Sequence, residues 1–135
     1  MYLLDTVVLS ELRKWRRDPR LVNWLEHVRP TDVYLSVVTI GEVEKGIAKQ
    51  QRRDPAFAER LANWLDGVLR YYARRILAID LSVARRWGRL ADAHGHGGAD
   101  LLIAATAIEH GLAVVTRNVR HFEGTGVPLV NPFRT

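Results

Sequence analysis

The chain has no cysteine. That absence excludes disulfides and thiolate metal sites, and it suits a reducing cytosol. Long apolar runs are missing too. The most continuous, at residues 101–108, is far shorter than the ~20 residues a membrane-spanning helix needs. No basic segment precedes the apolar start, and Asp5 interrupts it, so the N-terminus does not read as a signal peptide. Internal repeats, low-complexity tracts and linkers are absent as well. What remains is one domain over residues 1–135, expected to be soluble and cytoplasmic. Its 135 residues suit a single core, and an apolar share of 47% is enough to fold it.

Charge is not balanced. Twenty basic residues face 15 acidic ones, for a net charge of +5. Such a surface favours an anionic partner, with nucleic acid first among the candidates. Seventeen of the 20 basic residues are arginine, which forks onto phosphate oxygens where lysine acts as a point charge. An arginine bias also arises in GC-rich genomes, so charge alone does not identify the partner.

The first residues organise the rest. Tyr2, Leu3 and Leu4 read as a short strand buried on both faces, as in the middle of a parallel sheet. Asp5 follows at once. A buried carboxylate needs a partner, a metal or a proton. At the carboxyl end of a parallel strand it faces the crevice where open α/β sheets bind ligands. Asp5 can instead serve as a helix cap. Ser10 is the closer cap, however, for a helix expected over residues 10–17 with Leu12 and Trp15 facing in.

Asp18-Pro19 and Asp54-Pro55 each join a cap to a first-turn proline. The first opens a helix carrying Leu21, Trp24, Leu25 and Val28. The second opens one with an apolar stripe from Phe57 through Leu61 and Leu65 to Tyr72. Between them, residues 33–38 read as a second strand, which turns at residues 39–42 into a helix reaching about Arg53. These two long helices read as a hairpin, part of whose surface can serve a dimer or partner contact. Residues 76–79 form a third strand, and Asp80 or Ser82 caps the helix after it. Residues 100–109 form an apolar helix stopped at Gly111. The last strands are residues 113–116 and 127–130, with Pro128 putting the final one at an edge. Alternating strands and helices imply an α/β sandwich with a mostly parallel sheet.

Most of the acids cap helices or sit on solvated faces. Asp5, Glu42 and Asp100 do not. Each falls at a strand-to-helix junction or a helix start, and in a parallel sheet such junctions can gather at the carboxyl edge. Three carboxylates brought together repel unless a cation holds them. Hard oxygen ligands suit Mg²⁺ or Mn²⁺, and Mg²⁺ takes phosphate as a further ligand. Phosphodiester hydrolysis by a metal-activated water is the matching reaction. Glu42 and Asp100 have a simpler reading as acids favoured by a helix dipole, worth about 0.3–1 kcal/mol each.

Thr116-Arg117-Asn118 adds polar groups after the fourth strand. Asn118 can bind metal through its carbonyl oxygen, or simply make a loop turn. The hydroxyls of Thr6 and Thr116 belong to the same edge and can order a metal-bound water. His94 and His96 lie in a glycine-rich loop with no third ligand in register, so a transition-metal site is not expected. The arginine pairs at 16–17, 52–53, 74–75 and 85–86 read as solvated helix faces. Lys45 and Arg117 are the best-placed bases for a scissile phosphate.

The order of these segments resembles a PIN domain of the VapC type, the toxin half of a VapBC toxin–antitoxin pair. The matching parts are Tyr2-Leu3-Leu4-Asp5-Thr6, residues 35–42 ending in Gly41-Glu42, Ala99-Asp100-Leu101 with the apolar residues after it, Val114-Val115-Thr116-Arg117-Asn118, and Asn131-Pro132. The likeness spans essentially the whole chain. It implies a PIN-like α/β/α sandwich with about five strands and a Mg²⁺-dependent endoribonuclease, with Mn²⁺ as a substitute. Asp5, Glu42 and Asp100 would be the metal-binding acids, with Asn118 as a fourth site residue. Such toxins cut tRNA or ribosomal RNA, are usually homodimers, and are blocked by a VapB-type antitoxin that also supplies binding to operator DNA.

Two positions depart from the family pattern. Val7 stands where an asparagine usually follows Asp-Thr, and Asn118 stands where an aspartate is common. Three strong ligands and weaker binding of any second metal are therefore expected. A haloacid-dehalogenase-like phosphatase would need a second aspartate at position 7. A receiver domain would need its acceptor aspartate after the third strand, where Asp80 is a cap. The remaining alternative is a non-catalytic PIN subunit that only binds antitoxin or RNA.

Overall fold

The computed structural model describes residues 1–134. Its centre is β1 (Tyr2–Leu4). Leu3 and Leu4 point to opposite faces of the sheet, as successive strand residues must, and both are fully buried. Burial of this kind contributes roughly 1.5–3 kcal/mol per leucine.

Around β1 the sheet is built from β2 (Val33–Ser36), β3 (Ile76–Leu77), β4 (Ala113–Val115) and β5 (Leu129–Val130). The order is β3-β2-β1-β4-β5 and every pairing is parallel. β5 lies at an edge, as Pro128 predicts. Among the described residues six α-helices connect the strands: α1 (Thr6–Leu12), α2 (Pro19–Glu26), α3 (Val37–Gln51), α4 (Pro55–Tyr71), α5 (Leu81–His94) and α6 (Ala99–His110). Leu4, Leu35 and Val115 face a core filled from α1 to α4. Leu3 and Val114 face a second one filled by Ile103, Ala104 and Ala107 of α6 with Phe122. The result is a three-layer α/β/α sandwich, the architecture the sequence implies. No helix among the described residues is long and apolar enough to cross a membrane.

Chain direction creates the crevice. From β1 the chain moves outward to β2 and β3, then crosses to β4 on the other side of β1 and moves outward again to β5. The carboxyl ends of β1 and β4 therefore form the topological switch point, where parallel sheets open to ligands.

Several local expectations need correction. The first helix starts at Thr6, not Ser10, and ends at Leu12. Asp5 caps it, accepting from the Val8 amide at 2.9 Å. Trp15 lies beyond the helix and is 98% exposed rather than inward-facing. The second strand ends at Ser36, whose hydroxyl caps α3 by accepting from the Val38 amide. Arg75 and Arg86 are not merely solvated. Arg75 donates to the carbonyls of Pro30 at 2.6 Å, Val33 at 2.7 Å and Tyr71 at 3.1 Å. Arg86 pairs with Glu109 of the neighbouring helix at 2.7 Å.

Candidate active site

Asp5 is the first residue beyond β1, and its backbone amide still bonds to the Val115 carbonyl of β4 at 3.1 Å. The next turn cannot continue the ladder, so α1 begins there. One carboxylate oxygen, Oδ1, accepts from the Val8 amide. The other, Oδ2, accepts from the Thr116 hydroxyl at 2.5 Å. Thr116 directly follows β4, so this bond closes the switch point. Asp5 thus caps α1 and stands at the switch point at once.

Asp5 is only 3% exposed. Burial, the largest influence, pushes its pKa above the ordinary value. The hydrogen bonds from Thr116 and the Val8 amide pull it down, and the charges of Asp100 and Glu42 push it up further. Asp100 and Glu42 are therefore each near enough to Asp5 to repel its charge. A buried acid in this setting favours a proton or a cation beside it.

Glu42 does not open its helix as expected. Ser36 caps α3, and Glu42 lies in the second turn, beyond the reach of the helix dipole. Its Oε1 accepts from the Thr6 hydroxyl at 2.5 Å, and the hydroxyl oxygen of buried Thr39 lies 3.2 Å from that of Thr6. One hydroxyl thus fixes each of two carboxylates: Thr116 holds Asp5, and Thr6 holds Glu42. Asp100 does sit in the first turn of α6, after Gly98. His121 Nδ1 lies 3.0 Å from its Oδ2.

His121 was not legible as a site residue. It falls in a short 3-10 turn, Val119–Phe122, and no pattern in the sequence marks it. Asn118 immediately precedes that turn, and its backbone amide donates to Thr116 Oγ1 at 2.9 Å. Thr116 therefore joins Asp5 to the Asn118 loop. Lys45 is exposed on α3. Arg117 is turned away from the carboxylates: its guanidinium lies 4.0 Å from the centre of the Phe133 ring and 3.8 and 3.7 Å from Glu11 and Asp18. His94 ends α5, and His96 Nδ1 accepts from the Gly98 amide at 3.2 Å. Among the described residues no three Asp, Glu or His side chains converge closely enough to hold an ion by direct contact.

A family model described as PIN domain matches residues 2–126. The VapC ribonuclease Y4jK of Sinorhizobium fredii is 38% identical over 141 residues, covering 98% of this chain and 98% of its own. Toxin FitB of Neisseria gonorrhoeae is 36% identical over 140 residues, covering 98% of this chain and 99% of its own. The crystal structure of FitAcB from Neisseria gonorrhoeae matches with a TM-score of 0.87 at 35% identity, over 100% of both chains.

Proposed function

The chain belongs to the PIN domain family, and on that premise we propose that it is a metal-dependent endoribonuclease and the toxin of a toxin–antitoxin pair. The observation that carries the reading is the carboxylate pair at the switch point, each member held by its own threonine hydroxyl, with Asp100 close enough to raise the pKa of Asp5. Similarity to a VapC ribonuclease and to toxin FitB supports the same reading.

The donor set fits a hard divalent cation. It offers carboxylates and no sulfur, and a cation would relieve the repulsion on Asp5. Mg²⁺ commonly retains several waters, so acids that do not converge to direct contact can hold it partly through water. Asp5, Glu42 and Asp100 would hold it, with Asn118 at the rim. When bound it would supply a water of lowered pKa and neutralise charge on the phosphate. The chain does the rest. Val8 and Thr116 aim Asp5, Thr6 aims Glu42, and His121 braces Asp100. The substrate is RNA, of the tRNA or ribosomal class. The partners are a second copy of the chain and a VapB-type antitoxin, through which operator DNA is bound, and the compartment is the cytoplasm.

Incubation of purified, antitoxin-free protein with RNA, with and without chelator, tests the reading. Metal-dependent fragments absent from Asp5→Asn support it. A folded protein that binds antitoxin yet cuts no RNA would replace it with the binding-only reading, which the lack of a three-ligand cluster among the described residues favours.

A further inference from the structure

An exposed tryptophan needs an explanation when its neighbours are all basic. Residues 13–17 read Arg-Lys-Trp-Arg-Arg, and Trp15 is 98% exposed. Tryptophan has a large apolar surface and is usually highly buried. Here four basic residues flank one fully presented ring in the sequence.

The loop is held at both ends. Arg13 and Lys14 amides bond back to the Ser10 and Glu11 carbonyls at 3.2 Å each. Glu11, itself only 7% exposed, accepts from Lys14 Nζ at 3.0 Å and from the Asp18 amide at 3.3 Å. Asp18 then caps α2 and pairs with Arg20 at 2.8 Å. A buried acid thus ties down a short projecting turn and leaves its aromatic ring outside.

The same loop borders a groove that begins at the candidate active site. Its walls include Thr6 and Glu42 together with Ser10, Arg13, Gly46 and Phe57. Arg13 and Arg60 both lie over the Phe57 ring, at 5.4 and 5.5 Å from its centre. Thr6 and Arg13 lie seven positions apart along α1 and its C-cap, a rise of about 10 Å. That span accommodates roughly three stacked nucleotides at 3.4 Å each.

We infer that residues 13–17 form a binding site for single-stranded RNA outside the cleavage centre, with Trp15 stacking on a base and Arg13, Arg16 and Arg17 on the flanking phosphates. This deepens the nuclease reading above and rests on it for the identity of the substrate. A cationic track interleaved with an aromatic platform is the combination single strands bind, and it works for any base because every base has a π face. An acidic protein segment would use the charges but has no need of a ring with both faces open.

The test uses full-length protein in chelator, so that binding is read without cleavage. The probe is a fluorescein-labelled, mixed-sequence RNA of roughly 12 nucleotides, within the length that such grooves hold, read by anisotropy. Trp15→Ala is expected to weaken binding by roughly 5- to 100-fold and Trp15→Phe far less, the loss expected for one stacked base. Trp15→Ala leaves the salt dependence of binding intact, whereas Arg16→Gln with Arg17→Gln lowers its slope. The melting temperature of Trp15→Ala stays at the wild-type value, because the ring touches almost nothing. If Trp15→Ala binds RNA as wild type does, the inference is overturned. It is equally overturned if the variant loses only antitoxin binding. If wild-type protein binds this RNA through Trp15 yet never cleaves, the inference stands and the nuclease reading falls.

Discussion

Asp5→Asn should stabilise the protein while abolishing cleavage. The substitution keeps the shape of the side chain and most of its bonds. Oδ1 can still accept from the Val8 amide, and the new amide can donate to Thr116 Oγ1, whose hydroxyl also accepts from Asn118. What disappears is a buried charge under repulsion from Asp100 and Glu42. Removing a charge strained for function commonly yields on the order of 1 kcal/mol. For a domain of this size that is roughly 3–5 °C in melting temperature. Asp5→Ala behaves oppositely, losing a cap worth about 1 kcal/mol and leaving the Thr116 hydroxyl without its acceptor. The sign with pH is fixed. The folded-state pKa of Asp5 lies above its ordinary value of 3.8, so the folded protein holds its proton longer than the unfolded chain. Wild-type stability from this group is greatest below that ordinary value and is lost as pH rises through the folded one. The advantage of Asp5→Asn should therefore be full near neutrality and shrink on acidification. Thermal melts by circular dichroism across pH, beside an RNA-cleavage assay, measure both halves. A drop in cleavage of roughly 100-fold or more is expected for a group acting on developing charge. An Asp5→Asn protein destabilised as much as Asp5→Ala would show that the carboxylate serves the fold, and the reasoning would fail.

Further expectations concern the surrounding residues. Thr116→Val removes the donor to Asp5 and the acceptor for the Asn118 amide, and should cost about 1–3 kcal/mol in urea unfolding. Thr6→Val leaves Glu42 without its hydroxyl partner near the surface, so cleavage should fall about 10-fold or more with little change in stability. Glu11 has a pKa below its ordinary 4.5, chiefly because Lys14 bonds to it. Its contribution is present above that ordinary value and is lost as pH falls through the folded one. Glu11→Gln should therefore flatten the acid limb of the stability curve. Asn118→Asp adds a fourth carboxylate and should tighten a second Mn²⁺ in calorimetric titration; unchanged affinity would remove Asn118 from the site.

The fold was legible where patterns were strong. The Asp-Pro caps and the stripe from Phe57 to Tyr72 appear as read, and each expected strand is present, though most are shorter than their apolar runs. The misplacement of α3 has a physical cause. Val37 and Val38 are β-branched and read as strand, yet they begin α3 directly after Ser36, which caps it. Tertiary packing overrides so weak a propensity. The early start of α1 moved Trp15 out of the core, and that of α3 moved Glu42 into its second turn. Arg117 and His121 were illegible for another reason. Their partners, Phe133, Glu11 and Asp100, are distant in the chain, and no local spacing encodes such a meeting. Asp5 and Asp100 stood out because an isolated acid beside a dense apolar run is costly without a partner, and the structure gives Asp5 Thr116 and Asp100 His121.

The role proposed for Asp5, Glu42 and Asp100 is metal-dependent RNA cleavage. It is tested most directly by incubating the purified, antitoxin-free protein with total cellular RNA, in Mg²⁺ and in chelator, with Asp5→Asn alongside. If these acids hold the metal, discrete fragments form with wild-type protein in Mg²⁺ only, and none with either control. Identical cleavage by Asp5→Asn, or fragments that persist in chelator, would contradict it.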